Sequence, residues 1–304
     1  MRTIVDILGM IKISHSVLAM PFALIATFLA ANGGIGGTPA IGKIALIVIC
    51  MVTARAVAMT FNRIVDRHID ARNIRTHKRE IPAGLISVAS AWYFMMICIV
   101  IFIGTCTLFY YPIGLFFGYG NIWPLILSIP FLVFICGYSL TKRFTYLCHL
   151  WLGASLMLAP VGAWIAISPP TGPILKLPII VLGISVMLWT CGFDIIYACQ
   201  DIEVDRKEGL NSIPARFGAK GALWISRFCH SMAVSGLFWF ALLQPHLLGS
   251  IYFVAVLLVI VLLIFEHVLV WGGKMKRIQM AFATINGIVS VLLATATICD
   301  IYIS

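Results

Sequence analysis

Charge is scarce in this chain. Asp, Glu, Lys and Arg make up 11% of its 304 residues, while 62% are hydrophobic and the mean hydropathy is +1.05. A soluble domain carries about 25% charge, so a globular protein in water is excluded. Apolar runs use up most of the length, which leaves no room for a separate soluble domain. CxxC pairs are missing too. The nine Cys (50, 98, 106, 136, 148, 191, 199, 229, 299) are scattered through apolar runs, where a thiol behaves as a small hydrophobe. Neither a disulfide nor a zinc site is expected from that spacing. The seven His are equally dispersed. The first apolar run follows Arg2 and Lys12 but ends without a small-residue cleavage site, so it reads as a retained span and not as a signal peptide.

Crossing roughly 30 Å of hydrocarbon takes about 20 apolar residues. Nine runs meet that length, near 14–33, 41–61, 88–110, 121–140, 146–168, 174–196, 222–243, 247–271 and 279–303. Pro124 and Pro130 interrupt the fourth, which membrane helices tolerate where neighbours re-satisfy the backbone. The aromatic, Gly-rich stretch 110–120 suits an interfacial loop. The expected fold is therefore all-α, a polytopic membrane protein of nine transmembrane helices. Of the 21 Lys and Arg, 17 fall at the N-terminus or in the loops after spans two, four, six and eight, and only Lys43 and Lys176 lie on the other side. The positive-inside rule places the N-terminus in the cytoplasm and the C-terminus outside. The net charge of +10 thus has a topological cause and does not call for a nucleic-acid partner.

The few carboxylates are concentrated in two places. Asn62 to Gly84 reads NRIVDRHIDARNIRTHKREIPAG, with Asn62, Asp66 and Asp70 spaced i, i+4, i+8, one face of a helix. Asp194 to Pro214 reads DIIYACQDIEVDRKEGLNSIP, and Asp194, Tyr197, Asp201 and Asp205 also share a helical face. Asn62-x3-Asp66-x3-Asp70 aligns with Tyr197-x3-Asp201-x3-Asp205. Each follows an even-numbered span and leads to a proline, Pro82 or Pro214. This indicates a single domain over 1–304 with two weak internal repeats, about 1–145 and 146–304.

A lone Asp at a span end would read as a solvated loop residue, but two matched DxxxD faces do not. Like charges four apart repel, and intramembrane charge is usually functional. A divalent cation removes the repulsion, and magnesium prefers one or two carboxylates together with phosphate oxygens and water. Arg72, Arg75, Lys78 and Arg79 beside the first face read as a phosphate clamp; alone, the same loop would read as a contact for anionic lipid. Lys142 and Arg143, at the end of span four, are candidates for the same pocket or positive-inside anchors. Together these features suggest one site for Mg²⁺ and a diphosphate. Arg55 lies two turns before Asn62 on the same face, deeper in a span that holds no acidic residue near it. Its candidate partner is a substrate carboxylate, with backbone carbonyls or Glu266 as alternatives. Arg227 lacks any such context and reads as structural.

At these residues the sequence resembles the UbiA family of intramembrane aromatic prenyltransferases. Asn62-x3-Asp66-x3-Asp70 followed by Arg75-Thr76-x2-Arg79 is similar to its first motif. Asp194-x2-Tyr197-x3-Asp201-x3-Asp205 followed by Gly209-x2-Ser212 is similar to its second. Tyr138-x3-Lys142-Arg143-x-Thr145 and Leu152-Gly153 look like further landmarks, and the likeness covers nearly the whole chain. It implies nine helices around a central cavity, in which a polyprenyl diphosphate is bound through Mg²⁺ and joined to an aromatic acceptor with release of diphosphate. Asp66, Asp70, Asp201 and Asp205 match the metal-binding aspartates. Asn62 matches an Asn near metal and acceptor, and Arg55 an Arg proposed for the acceptor carboxylate. Tyr197 is read either as facing the prenyl cation with its ring or as plain helix packing.

Within the family the likeness is strongest to 4-hydroxybenzoate polyprenyltransferases, which implies an aromatic hydroxy acid as partner, the lipid bilayer as surroundings, and a cell (inner) membrane protein opening to the cytoplasm. Arg79-Glu80-Ile81-Pro82-Ala83-Gly84 departs from their Arg-Pro-Leu. With Phe193 to Ala198 and Ser212 to Gly218, it looks like a UbiA-like branch of futalosine-route menaquinone synthesis, whose acceptor would be a dihydroxynaphthoate. A rival of another class is a transporter of an anionic metabolite, where repeats and intramembrane charges also occur. That reading has no use for two DxxxD faces beside phosphate-binding Arg.

Overall fold

A computed structural model describes residues 7, 9–11, 18–35, 37–110, 120–168, 175–270 and 284–303. Among them there are helices and no strand. In a bilayer this is forced, because a helix satisfies its backbone polar groups within the segment. The helices are α1 (Met20–Ile35), α2 (Ile41–Val65), α3 (Arg67–Arg72), α4 (Val88–Thr107), α5 (Trp123–Thr141), α6 (Cys148–Ile167), α7 (Leu177–Ala198), α8 (Ile202–Lys207), α9 (Ile213–Leu242), α10 (Ser250–Leu269) and α11 (Asn286–Ile303).

Among the described residues, seven helical stretches are long and apolar enough to cross a membrane: α2, α4, α5, α6, α7 with its continuation to Lys207, α10 and α11. The other two spans read from the sequence are also helical, but α1 has only 16 residues. Helix α9 runs for 30 residues with Arg216, Lys220 and Arg227 along it, and it bends at Gly218, where φ is 70°. Helix α5 accommodates Pro130 internally, as its apolar surroundings allow. The interfacial loop expected over 110–120, the basic loop after span eight, and Arg2 and Lys12 lie wholly or largely outside the described residues.

The chain forms two compact units. One comprises Met1–Ser16 and Ile41–Thr141, the other Val17–Ala40 and Lys142–Ser304. In the first, α2 packs against α4 and α5. Its core gathers Ala56, Val57 and Ile64 from α2, Ala91, Met95, Cys98 and Phe102 from α4, and Leu132 from α5.

The second unit is built around α7. With its continuation, 72% of the apolar window of α7 is buried, against 22% for α5 in the first unit, so α7 is a core helix and not a lipid-facing one. Small residues permit that enclosure, since close helix approach in membranes depends on them. A Cβ added at Gly153 of α6 would run into the main-chain carbonyl of Met187 in α7. On another face, Ser226 of α9 donates to the Gly192 carbonyl at 2.7 Å. Asp300 of α11 accepts from the N–H groups of Gly249 and Tyr252, each at 2.8 Å, so a carboxylate from one helix satisfies the open N-terminus of α10.

Candidate functional site

Both acidic stretches sit where a long apolar helix gives way to a six-residue one. In the first unit α2 ends at Val65, and Asp66 (φ −89°, ψ 3°) stands in the N-cap position of α3. In the second unit α7 ends at Ala198. A 3₁₀ turn, Cys199–Asp201, comes next, and Asp201 (φ −106°, ψ 6°) stands in the N-cap position of α8. Neither Asp caps its helix with its side chain. The single helix expected along each motif is therefore interrupted, at the same motif position in both stretches. The tighter i→i+3 geometry of the 3₁₀ turn shifts the register of α8 relative to α7.

In the first motif the backbone bridges the break, with Asp66 N bonded to Asn62 O at 2.9 Å and Asp70 N to Asp66 O at 2.8 Å. Asn62 Nδ2 donates to Asp66 Oδ2 at 2.9 Å, so these two side chains do share a face. Asp70 is 5% exposed. Arg79 donates through one terminal nitrogen, Nη1, to both Asp70 oxygens at 2.7 Å. Thr76 Oγ1 donates to the Asp70 carbonyl, and Asn73 Oδ1 accepts from Arg75 N–H. These bonds fold the loop back over α3. Arg72 and Lys78 are exposed, and Arg75 is half-buried.

The second motif has the same plan with other residues. Asp205 is 3% exposed. Its Oδ2 accepts from Ser212 Oγ at 2.7 Å and lies 3.8 Å from Lys142 Nζ. Ser212 also caps α9 by accepting from Ala215 N–H. The Lys142 carbonyl accepts from Asn211 N–H at 2.7 Å, which ties Lys142 to the loop after α8. Burial disfavours the charge on Lys142, but the carboxylates around it, Asp205 foremost, outweigh that and raise its pKa above the usual lysine value. Arg143 is exposed beside it. Tyr197, like Leu223, packs against Ile196 and Val270.

Two residues depart from their expected surroundings or were not foreseen. Asp194 leaves the acidic face to meet His149, the second residue of α6, at 2.7 Å. Nothing in a lone His at the head of an apolar helix signals that. Glu266, an alternative partner for Arg55, accepts from Asn286 Nδ2 at 2.8 Å within its own unit. Arg55 itself is half-buried on α2, and its Nε is buried without a hydrogen-bond partner. Arg227 lies over the ring of Trp224 at 4.9 Å, in keeping with a structural role.

Each motif by itself offers oxygen donors of the kind a hard cation takes, Asn62, Asp66 and Asp70 in the first and Asp201 and Asp205 in the second. No group of three or more His, Cys, Asp or Glu able to hold a metal occurs among the described residues. Magnesium takes one or two carboxylates and completes its shell with substrate phosphates and water.

A family model, the UbiA prenyltransferase family, matches residues 19–288. Among curated proteins, the chain is 28% identical over 193 residues to the mitochondrial 4-hydroxybenzoate polyprenyltransferase of Arabidopsis thaliana, covering 64% of this chain and 44% of that protein. It is 32% identical over 177 residues to 4-hydroxybenzoate geranyltransferase 1 of Lithospermum erythrorhizon, covering 58% and 53%. It is 32% identical over 186 residues to the 4-hydroxybenzoate octaprenyltransferase of Vibrio atlanticus (strain LGP32), covering 60% and 59%. The chain spans about half the length of these curated relatives. Among solved structures, the apo UbiA homolog from Aeropyrum pernix K1 matches with a TM-score of 0.80 at 28% identity, over 95% of this chain and 98% of that one. A UbiA homolog from Archaeoglobus fulgidus bound to GPP and Mg²⁺ matches with a TM-score of 0.69 at 19% identity, over 98% and 100%, a likeness of fold alone.

Proposed function

Because the chain belongs to the UbiA prenyltransferase family, we propose that it transfers a polyprenyl group from a polyprenyl diphosphate to 4-hydroxybenzoate, with Mg²⁺, in quinone biosynthesis. The observation that carries this reading is the shared local geometry of the two acidic motifs. In each, a helix-breaking Asp precedes by four residues a buried Asp held by a cation, Arg79 or Lys142. The names of the curated relatives support the choice of acceptor. The mitochondrial and bacterial relatives also support a role in ubiquinone-type synthesis.

On this reading Asp66, Asp70, Asp201 and Asp205 are the residues assigned to the metal. Bound there, Mg²⁺ would offset the negative charge that grows on the leaving diphosphate. Arg79 uses one nitrogen on Asp70 and has further donors for a phosphate oxygen. Arg72, Arg75, Lys78, Lys142 and Arg143 supply the rest of the clamp. The allylic C–O bond breaks with its electron pair leaving on the diphosphate. Apolar helices keep water from the prenyl cation. Arg55 would hold the acceptor carboxylate and Asn62 would lie near metal and acceptor; the ring carbon ortho to the hydroxyl forms the new C–C bond to the prenyl cation, and its proton passes to the released diphosphate. The whole chain is read as one domain of nine spans with the N-terminus and both motifs on the cytoplasmic side of the cell membrane, as the charge sorting supports. Glu80-Ile81-Pro82 after Arg79 favours a second reading, the same chemistry on a dihydroxynaphthoate.

The test is purified protein with one prenyl diphosphate, magnesium and both aromatic acids in competition, with products identified by mass. Asp66→Ala and Asp201→Ala are expected to abolish turnover while the protein still inserts and folds. Near-normal activity of either variant at saturating magnesium would overturn the assignment.

A further inference from the structure

His149 is fully buried, at 0% exposure, yet it is a polar group at the head of an apolar helix. Burying an imidazole without partners is costly, so its two bonds account for its presence. Nδ1 lies 2.7 Å from Asp194 Oδ2, and the Ile213 N–H points at Nε2 from 3.4 Å. A carboxylate without a proton can only accept, so Nδ1 carries the hydrogen. A backbone N–H can only donate, so Nε2 offers its lone pair. The geometry thus places a hydrogen on Nδ1, facing Asp194.

The two bonds run in different directions through the second unit. One reaches back to the last turn of α7, where Asp194 opens the second acidic motif. The other reaches the first residue of α9, next to Ser212, whose hydroxyl holds Asp205 at 2.7 Å. His149 therefore connects the first carboxylate of the motif to the support of the last one, across a helix break that would otherwise let them move apart. The adjacent Cys148 thiol adds a contact of 3.6 Å to the Asn211 carbonyl in the same loop. Close packing of α6 on α7 at Gly153 fixes the height at which His149 meets Asp194.

We propose that His149 is a positioning residue for the second acidic motif. It holds Asp194 by one oxygen, leaves Oδ1 for a ligand hydroxyl or a cation, and clamps the Ser212–Asp205 support in register with it. The inference rests on the prenyl-transfer reading above and assigns to it a residue that neither motif contains.

The test compares His149→Leu, which keeps bulk and loses both bonds, with His149→Gln, whose amide can both donate and accept. In the transfer assay His149→Leu is expected to raise the magnesium concentration for half-activity and the KM for the prenyl diphosphate by about tenfold or more, with the KM for the aromatic acid little changed. His149→Gln should recover most of that loss. Combined with Asp194→Asn, His149→Leu should add little further loss, because the two side chains act as one unit. Equal impairment of the Leu and Gln variants, or full additivity with Asp194→Asn, would reduce His149 to packing and overturn the proposal. A nitrogen NMR spectrum of ¹⁵N-histidine-labelled protein supplies a readout independent of turnover. It should show a buried imidazole with a hydrogen-bonded Nδ1–H that is absent from His149→Leu, and that signal should move in Asp194→Asn. If the protein has no transferase activity but this signal is present, the function reading fails while the latch stands. If activity is normal and the signal is absent, the latch fails alone.

Discussion

Arg55 offers the sharpest test of where the acceptor sits. It precedes Asn62 by seven residues on α2, nearly two full turns, so the two share a face and are separated by about 10 Å along the axis. On the proposed function the diphosphate is held with Asp66 and Asp70 near the helix end, and Arg55 stands about 10 Å deeper along the helix. Arg55 Nε is buried and has no hydrogen-bond partner, a state that a bound carboxylate would relieve. A charge-assisted hydrogen bond of this kind contributes roughly 1.5–3 kcal/mol. Arg55→Gln should therefore raise the KM for the aromatic acid by about one to two orders of magnitude and leave that for the prenyl diphosphate near wild type. Arg79→Gln should do the reverse. Arg55→Lys should rescue only in part, because an ammonium lacks the planar fork. The assay is steady-state kinetics with each substrate varied at saturating levels of the other. If Arg55→Gln changed the prenyl diphosphate KM and not the acceptor's, Arg55 would belong to the phosphate clamp, and the acceptor would have to lie elsewhere.

Gly153→Ala places a methyl against the Met187 main-chain carbonyl, and backbone cannot move aside as a flexible side chain can. Overpacking of this kind costs about 1–3 kcal/mol, so the variant should melt lower in detergent, and an unchanged midpoint would show that α6 and α7 are less tightly apposed than described. In a Cys-free background, single cysteines at positions 75 and 304 should be labelled from opposite sides of the membrane, and labelling of both from one side would refute nine spans in the proposed orientation.

Much of the architecture could be read from the sequence because membrane insertion leaves a coarse signature. Apolar runs of span length, such as those of α4 and α10, became helices with ends within a few residues of expectation. The motif residues were legible for the same reason, since carboxylates at Asp66 or Asp205 stand out where charge is rare. The breaks at Asp66 and Asp201 were not legible. No Pro or Gly marks them, and a spacing of four fits an unbroken helix equally well. The partners of the buried aspartates divide along similar lines. Arg79 and Lys142 lie in basic stretches that invite attention, whereas His149 sits among Cys148, Leu150 and Trp151, where periodicity and charge are both silent. Its meaning depends on α6 lying against α7, a tertiary fact that no local pattern encodes.

The uncapped starts of α3 and α8 bear on how such a protein can be improved. An N-cap Asp ordinarily turns its carboxylate onto the first helical N–H groups, and losing that bond costs a short helix about 1 kcal/mol. Here the residue type is right for a cap, yet Asp66 and Asp201 each leave the helix end unserved by their side chains. Six residues are also too few to sustain a helix unaided. Thermostabilising selection acting on these segments would therefore favour turning the carboxylates inward onto their own helices, and every step in that direction would remove an oxygen from the reach of a ligand. On the proposed function the two segments are where stability and turnover compete, and gains in robustness should be sought in the apolar packing around α7 instead.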